Sequence, residues 1–140
     1  MTEPVDLVSA ASDGFIALLD AAIGPEIAEV TTNPTPIDPS DTSDRRFVII
    51  GEIDSSSEGG KGEQAELLSV QVIVVYRGTQ RSALHALMHQ VRVALDGNVP
   101  DVAGVEFGAI EWRGAASSPA GADGITHAGI IEFEVFGEPA

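Results

Sequence analysis

The chain has 140 residues, enough for one domain with its own core, and no cysteine, which excludes disulfides and cysteine-built zinc or iron–sulfur sites. Its 22 Asp and Glu against 7 Lys and Arg give a formal charge of -15, a surface that repels phosphate and argues against sequence-independent nucleic-acid binding. No apolar run approaches the roughly twenty residues that span a bilayer, and the start, with Glu3 and Asp6 and no basic residue, does not read as a signal peptide; the expectation is one soluble domain over residues 1–140 with no membrane partner.

In chain order, Thr2 as N-cap, Pro4 in the first turn and early acids predict an opening helix. Its apolar stripe is Val8, Ala11, Phe15, Leu18, Leu19 and Ala22, and Gly24-Pro25 ends it. Gly14 inside that stripe weakens it by about 1 kcal/mol relative to alanine and marks a place of close packing against a sheet. Residues 27–31 fit a short strand. Residues 33–45 are dense in Asn, Pro, Asp and Ser and read as a long loop. Residues 46–53 fit a strand, and residues 55–64, built of Ser, Gly and Glu, read as a second loop, the tip of an antiparallel hairpin.

Residues 67–76 are the clearest strand, because their β-branched side chains fit a pleated surface. Val70, Val72, Val74 and Tyr76 share one face, and Ser69, Gln71, Ile73, Val75 and Arg77 the other. The second half of the strand is therefore apolar on both sides, which requires cover on both. Leu84, Leu87, Met88, Val91 and Leu95 then make a helical stripe over 82–96, with Ser82 or Thr79 as N-cap and Gly97 closing it. Residues 105–112 predict another strand and 114–124 a third long loop. The last strand, 125–136, sets Ile131, Phe133 and Val135 against Glu132 and Glu134, so one of its sides is wet or meets a polar neighbour. The expected fold is α+β: a mainly antiparallel sheet of four to five strands with two helices packed on one face and long loops.

Little in the sequence carries chemistry. His85 and His89 lie at metal-ligand spacing on a helix, but Ala86-Leu87-Met88 between them lacks the catalytic glutamate and no third ligand is evident, so a solvated polar face is the reading. Asp38, Asp41 and Asp44 do not match a calcium loop, and Gly59-Gly60-Lys61-Gly62 lacks the leading glycine and trailing hydroxyl of a phosphate loop. Ser117 and Ser118 have no nucleophile-elbow glycines. Trp112 beside Arg113 has the parts to stack a base, though a core tryptophan at a strand end is the simpler reading. No catalytic residue, metal or cofactor is expected, which argues for a non-enzyme.

The run Phe47-Val48-Ile49-Ile50-Gly51, the strand ending Val74-Val75-Tyr76-Arg77, the helix closing on Ala94-Leu95, and Asp123-Gly124-Ile125-Thr126-His127 together resemble the tail-terminator or tail-completion proteins of long-tailed bacteriophages. The order and spacing match over roughly 46–136. The chain departs from that pattern in having Arg46-Phe47 where the family often has proline and an aromatic, and in lacking a histidine and a tryptophan in the central strand. The resemblance implies a structural assembly protein, made in the host cytoplasm and located at the neck end of a virion tail. It implies a homo-hexameric ring that caps the tail tube protein, ends its polymerisation and meets a head–tail connector or stopper protein, with DNA passing through unspecifically. Under that reading the candidate oligomer and partner contacts are Arg46, Ile73, Val75, Trp112, Arg113, Asp123, Gly124 and His127. A head-closure or minor tail protein, or a small ligand- or metal-binding enzyme domain, are the alternatives.

Overall fold

A computed structural model describes residues 4–38, 40–60 and 62–140. Among these the elements run α1 (Leu7–Ile23), β1 (Glu29–Thr31), β2 (Arg45–Ser57), β3 (Glu66–Arg77), α2 (Arg81–Leu95), β4 (Val105–Phe107), β5 (Glu111–Ser117) and β6 (Thr126–Pro139). The strands form one sheet in the order β1-β2-β3-β6, with both β4 and β5 on the far edge of β6. The fold is α+β as expected. The sheet is mixed rather than antiparallel throughout, because β1 runs parallel to β2.

That parallel pair explains the first long loop. Parallel neighbours need a connection that carries the chain back along the strand, and residues 32–44 do this. The other two loops are shorter than their composition predicts. Strand β2 continues through Ser57, so the second loop begins at residue 58, and β5 continues through Ser117, where Ala115 to Ser117 pair with Ile131 to Gly129. The expected strand over 105–112 is two strands. At the break, Ile110 is buried while its backbone bonds the end of α2: the Gly97 N–H reaches the Ile110 carbonyl at 2.7 Å and the Ile110 N–H reaches the Asn98 carbonyl at 2.8 Å.

Both helices cover one face of the sheet. Helix α2 buries Leu84, Leu87, Val91, Ala94 and Leu95, with Met88 half-buried over Gly129. Its expected cap is not there: Gln80 holds the N-cap position without a side-chain bond, and its N–H goes to the Tyr76 hydroxyl at 3.2 Å. Gly97, at φ 81°, supplies the left-handed turn after the helix. Helix α1 begins later than expected. Asp6 caps it, accepting the Ser9 N–H at 3.0 Å, Pro4 precedes it, and Thr2 lies outside the described residues. Its buried stripe is Leu7, Ala10, Ala11, Gly14, Phe15, Leu19 and Ile23, which leaves the expected Val8 and Ala22 exposed.

Val48, Ile50, Val70, Val72, Val74, Ile131, Phe133 and Val135 complete the core from the sheet side. Burial of each large side chain here contributes about 1.5–3 kcal/mol. Phe15 meets Phe133 edge-on at 6.2 Å, which joins α1 to the centre of β6. Gly14 is close-packed, but against the connection that follows α2 rather than against the sheet: a Cβ there would lie 2.7 Å from Pro100 Cβ and 3.2 Å from Val102 Cγ2.

Gly14→Ala is therefore expected to invert the usual rule. A helix-interior glycine replaced by alanine ordinarily gains about 1 kcal/mol. Here overpacking against buried Pro100 outweighs that gain, with a net loss of about 1–3 kcal/mol in urea unfolding. An unchanged or raised midpoint would show that the 98–104 connection yields freely.

Candidate functional site

Four of the eight sequence-predicted contact residues meet at one end of the sheet. Arg46, Tyr76 and His127 are in register across β2, β3 and β6. The Arg46 guanidinium stands 5.5 Å from the Tyr76 ring centre, and the Tyr76 and His127 rings stack at 5.8 Å and 27°. Arg46 also faces the Asp44 carboxylate at 3.2 Å. Tyr76 and His127 are buried, and His127 Nδ1 has no hydrogen-bond partner among the described residues. A Cβ at Gly78 would collide with the Tyr76 hydroxyl, so the turn after β3 is shaped around that ring.

Arg77, one residue along, belongs to the opposite face of the sheet and is only 8% exposed. Its Nη1 donates to the Asp41 carbonyl and its Nε lies 4.0 Å from the Asp123 carboxylate. Asp123 in turn organises the start of β6. Its Oδ1 accepts the N–H groups of Ile125 at 3.0 Å and Thr126 at 2.9 Å, and its Oδ2 accepts the Thr126 hydroxyl. Gly124, at φ 75°, gives the left-handed step that this turn requires. These bonds, led by the Thr126 hydroxyl and N–H and helped by the Arg77 charge, lower the Asp123 pKa to about 2. Asp41 is held well below the ordinary carboxylate range by the Ser43 hydroxyl and N–H and by Arg45, whose Nη2 is 2.9 Å away.

Ile73 and Val75 lie on the face away from the helices, and pairing across the strands arranges that face in rows. Phe47, Val75 and Ala128 form one row; Ile49, Ile73 and Ile130, with Ala116 beyond, form the next. Phe47 is buried outside the core cluster, in a hollow it shares with Ile37 of the long loop. Ile49, Ile73, Val75 and Ala128 are half-buried and Ile130 is 39% exposed, so within one chain this row remains partly open to water. The chain's own loop thus covers one end of the face only. Further along, Glu52, Asp54, Glu132 and Glu134 line a hollow with Ser69, Gln71 and Arg113.

Trp112 and Arg113 do not join the cluster. Trp112 packs partly into the core, its ring covered by the Arg92 guanidinium at 3.8 Å, and its backbone N–H donates to the Asp96 carboxylate at 3.1 Å. That geometry occupies the face a base would stack on. Arg113 sits in a bulge of β5, 3.9 Å from Glu111, above the acidic hollow. His85 and His89 are exposed, and His85 Nε2 is 3.4 Å from the Ser117 hydroxyl. Among the described residues no three His, Asp or Glu side chains converge as a metal site would require.

No protein-family model and no curated protein matches the chain by sequence. Its fold does have a solved counterpart. A chain of a structure described as the virion of a native gene transfer agent (GTA) particle superposes with a TM-score of 0.76, over 95% of this chain and 98% of that chain, at 14% identity. At that identity the likeness is one of fold, and it extends over the long strands, both helices and the connections between them.

The Asp123 turn supplies a pH test. Its folded pKa of about 2 lies below the ordinary 3.8, so its contribution is complete above about pH 4 and is lost as pH falls toward 2. The amide resonances of Ile125 and Thr126, followed by NMR, should titrate with a midpoint near 2, and Asp123→Asn should abolish that transition. A midpoint near 3.8 would mean that the turn does not hold the carboxylate as described.

Proposed function

We propose that this chain is a structural protein of a virion-type particle: a tail terminator whose copies close into a hexameric ring on the end of the tail tube. The observation that carries the proposal is the end-to-end fold likeness to a chain of a gene transfer agent virion. The residue-level resemblance to tail terminators over 46–136 supports the narrower assignment. In this reading the ring stops tube polymerisation, meets the head–tail connector or stopper protein at the neck, and is assembled in the host cytoplasm. DNA passes through without specific contacts.

The molecule has the physical features that such a role needs. The isoleucine row on the outer sheet face is apolar and incompletely covered within one chain, as a surface is when an assembly completes it. The acidic hollow beside it contributes to a surface that phosphate does not adhere to. The serine–histidine contact between Ser117 and His85 lies on the surface beside Met88, Ala115 and Ala116, and among the described residues no acid completes it. A head-closure or minor tail protein is the second reading, and the same fold likeness supports it equally.

Purified protein mixed with tail tubes is expected to give a hexamer by native mass measurement and to block further tube growth. A chain that stays monomeric in the presence of tubes contradicts the ring. Immunogold labelling of particles separates the two readings, since label at the neck end alone supports a terminator and label along the tube or at the tip excludes it.

A further inference from the structure

The sheet face away from the helices has a second apolar border. Beyond the row of Ile49, Ile73 and Ile130 come Gln71 and Glu132, then Asp54, Ser69 and Glu134, and then Leu67 opposite Phe136. Phe136 is 37% exposed and Leu67 is half-buried. At the rise of an extended strand, Ile73 and Leu67 of β3 stand about 20 Å apart. The hollow lined by Glu52, Asp54, Glu132 and Glu134 therefore lies between two apolar edges. We propose that this face takes a segment of a different protein in which apolar side chains flank lysines or arginines. The inference rests on reading the outer face as an assembly surface, and it adds the chemistry of what covers that face.

The two apolar edges and the acids between them constrain the occupant together. A segment that covers both edges also covers the carboxylates, and so removes water from them. One guanidinium, that of Arg113, lines the hollow with them, and its ion pair is with Glu111 of its own strand at 3.9 Å. Burial of isoleucine and phenylalanine is favourable, but a carboxylate that loses water without gaining a cation is heavily penalised. Only an occupant that brings cations between its apolar groups gains from both. Among the described residues no three acids converge as metal ligands do, so the fitting cations are side chains spread along the segment.

Charge also decides against the other occupants. Nucleic acid would set phosphates against these acids. The same face of a second copy would set acids against acids, on a chain whose formal charge is already -15. Other faces of a second copy have few cations to bring, since Arg45 and Arg46 face Asp41 and Asp44, Arg92 covers Trp112, and Arg77 is buried.

Two synthetic peptides test this on the full chain, one with apolar residues at each end and two lysines between them, the other with glutamates in place of the lysines. NMR titration up to about 1 mM peptide is expected to shift the amide resonances of Ile73, Ile130, Glu132 and Glu134 with the lysine peptide only. Glu132→Gln combined with Glu134→Gln should weaken that binding by about threefold to tenfold, the range for the loss of two exposed ion pairs. Ile73→Ser should weaken it as well. Asp20→Asn combined with Asp101→Asn makes the same charge change at exposed positions elsewhere and should leave it unaltered. No shift with the lysine peptide, equal shifts with both peptides, or equal weakening by the two charge-removing pairs overturns the inference. Shifts at the same residues that grow with protein concentration alone overturn it in favour of a second copy. A chain that forms the hexamer on tubes yet ignores the lysine peptide sinks this inference and spares the ring; one that binds the peptide but stays monomeric with tubes does the reverse.

Discussion

A sheet has two faces, and in this molecule the helices cover one. Strand parity then decides the fate of every residue along β2, β3 and β6: odd and even positions of one strand go to different solvents. Val70, Val72, Val74 and Tyr76 meet α1 and α2 and are buried, while Ile73, Val75 and Arg77 turn the other way. The second face is made of three materials in sequence along the strands. An arginine end is closed by loops, an apolar centre is half-covered, and a carboxylate end lines a hollow. The proposed role rests on the fold likeness and draws its support within the chain from the middle one, an incompletely covered isoleucine row beside acids on a chain of charge -15.

The long loops have structural work of their own. Residues 32–44 return the chain so that β1 can lie parallel to β2, and along the way they supply Asp41 to Arg77 and Asp44 to Arg46. The turn at 121–126 aims β6 and supplies Asp123. Length in these connections therefore reflects topology and anchoring together, and the parts available to a partner are correspondingly smaller. Of the third expected loop, 114–124, the residues from Gly114 to Ser117 belong to the sheet.

What the sequence made legible is whatever depends on neighbours along the chain. The β-branched run of β3 and the stripe of α2 are local patterns, and the structure places both within a residue or two of expectation. The stripe of α1 is shifted because Leu7, Val8, Ala10, Ala11, Ile16 and Leu18 are apolar around much of the helix, so periodicity alone does not choose a face; contacts with the sheet do. The break at Ile110 depends on backbone bonds to residues 97 and 98, and the parallel placement of β1 on partners eighteen positions away, and neither leaves a local mark. For the site, alternation correctly set Arg77 on the face of Ile73 and Val75. Its two aspartate-bearing partners come from loops whose composition says only that they turn. Of the expected contact residues, Arg46, Asp123, Gly124 and His127 lie at one end of the sheet, whereas Trp112 and Arg113, equally prominent in sequence, lie elsewhere, with Trp112 packed under Arg92.

The central claim is that the outer isoleucine row serves assembly rather than the stability of the single chain. Ile73→Asp tests it most directly, with thermal unfolding of the free protein and tube-dependent oligomerisation measured on the same preparation. Because Ile73 is half-buried and lies outside the helix-covered core, its replacement should leave the protein folded, with a loss of about 1–3 kcal/mol. Oligomerisation on tubes should be abolished. A variant that assembles like the parent, or one that fails to fold, would contradict the account.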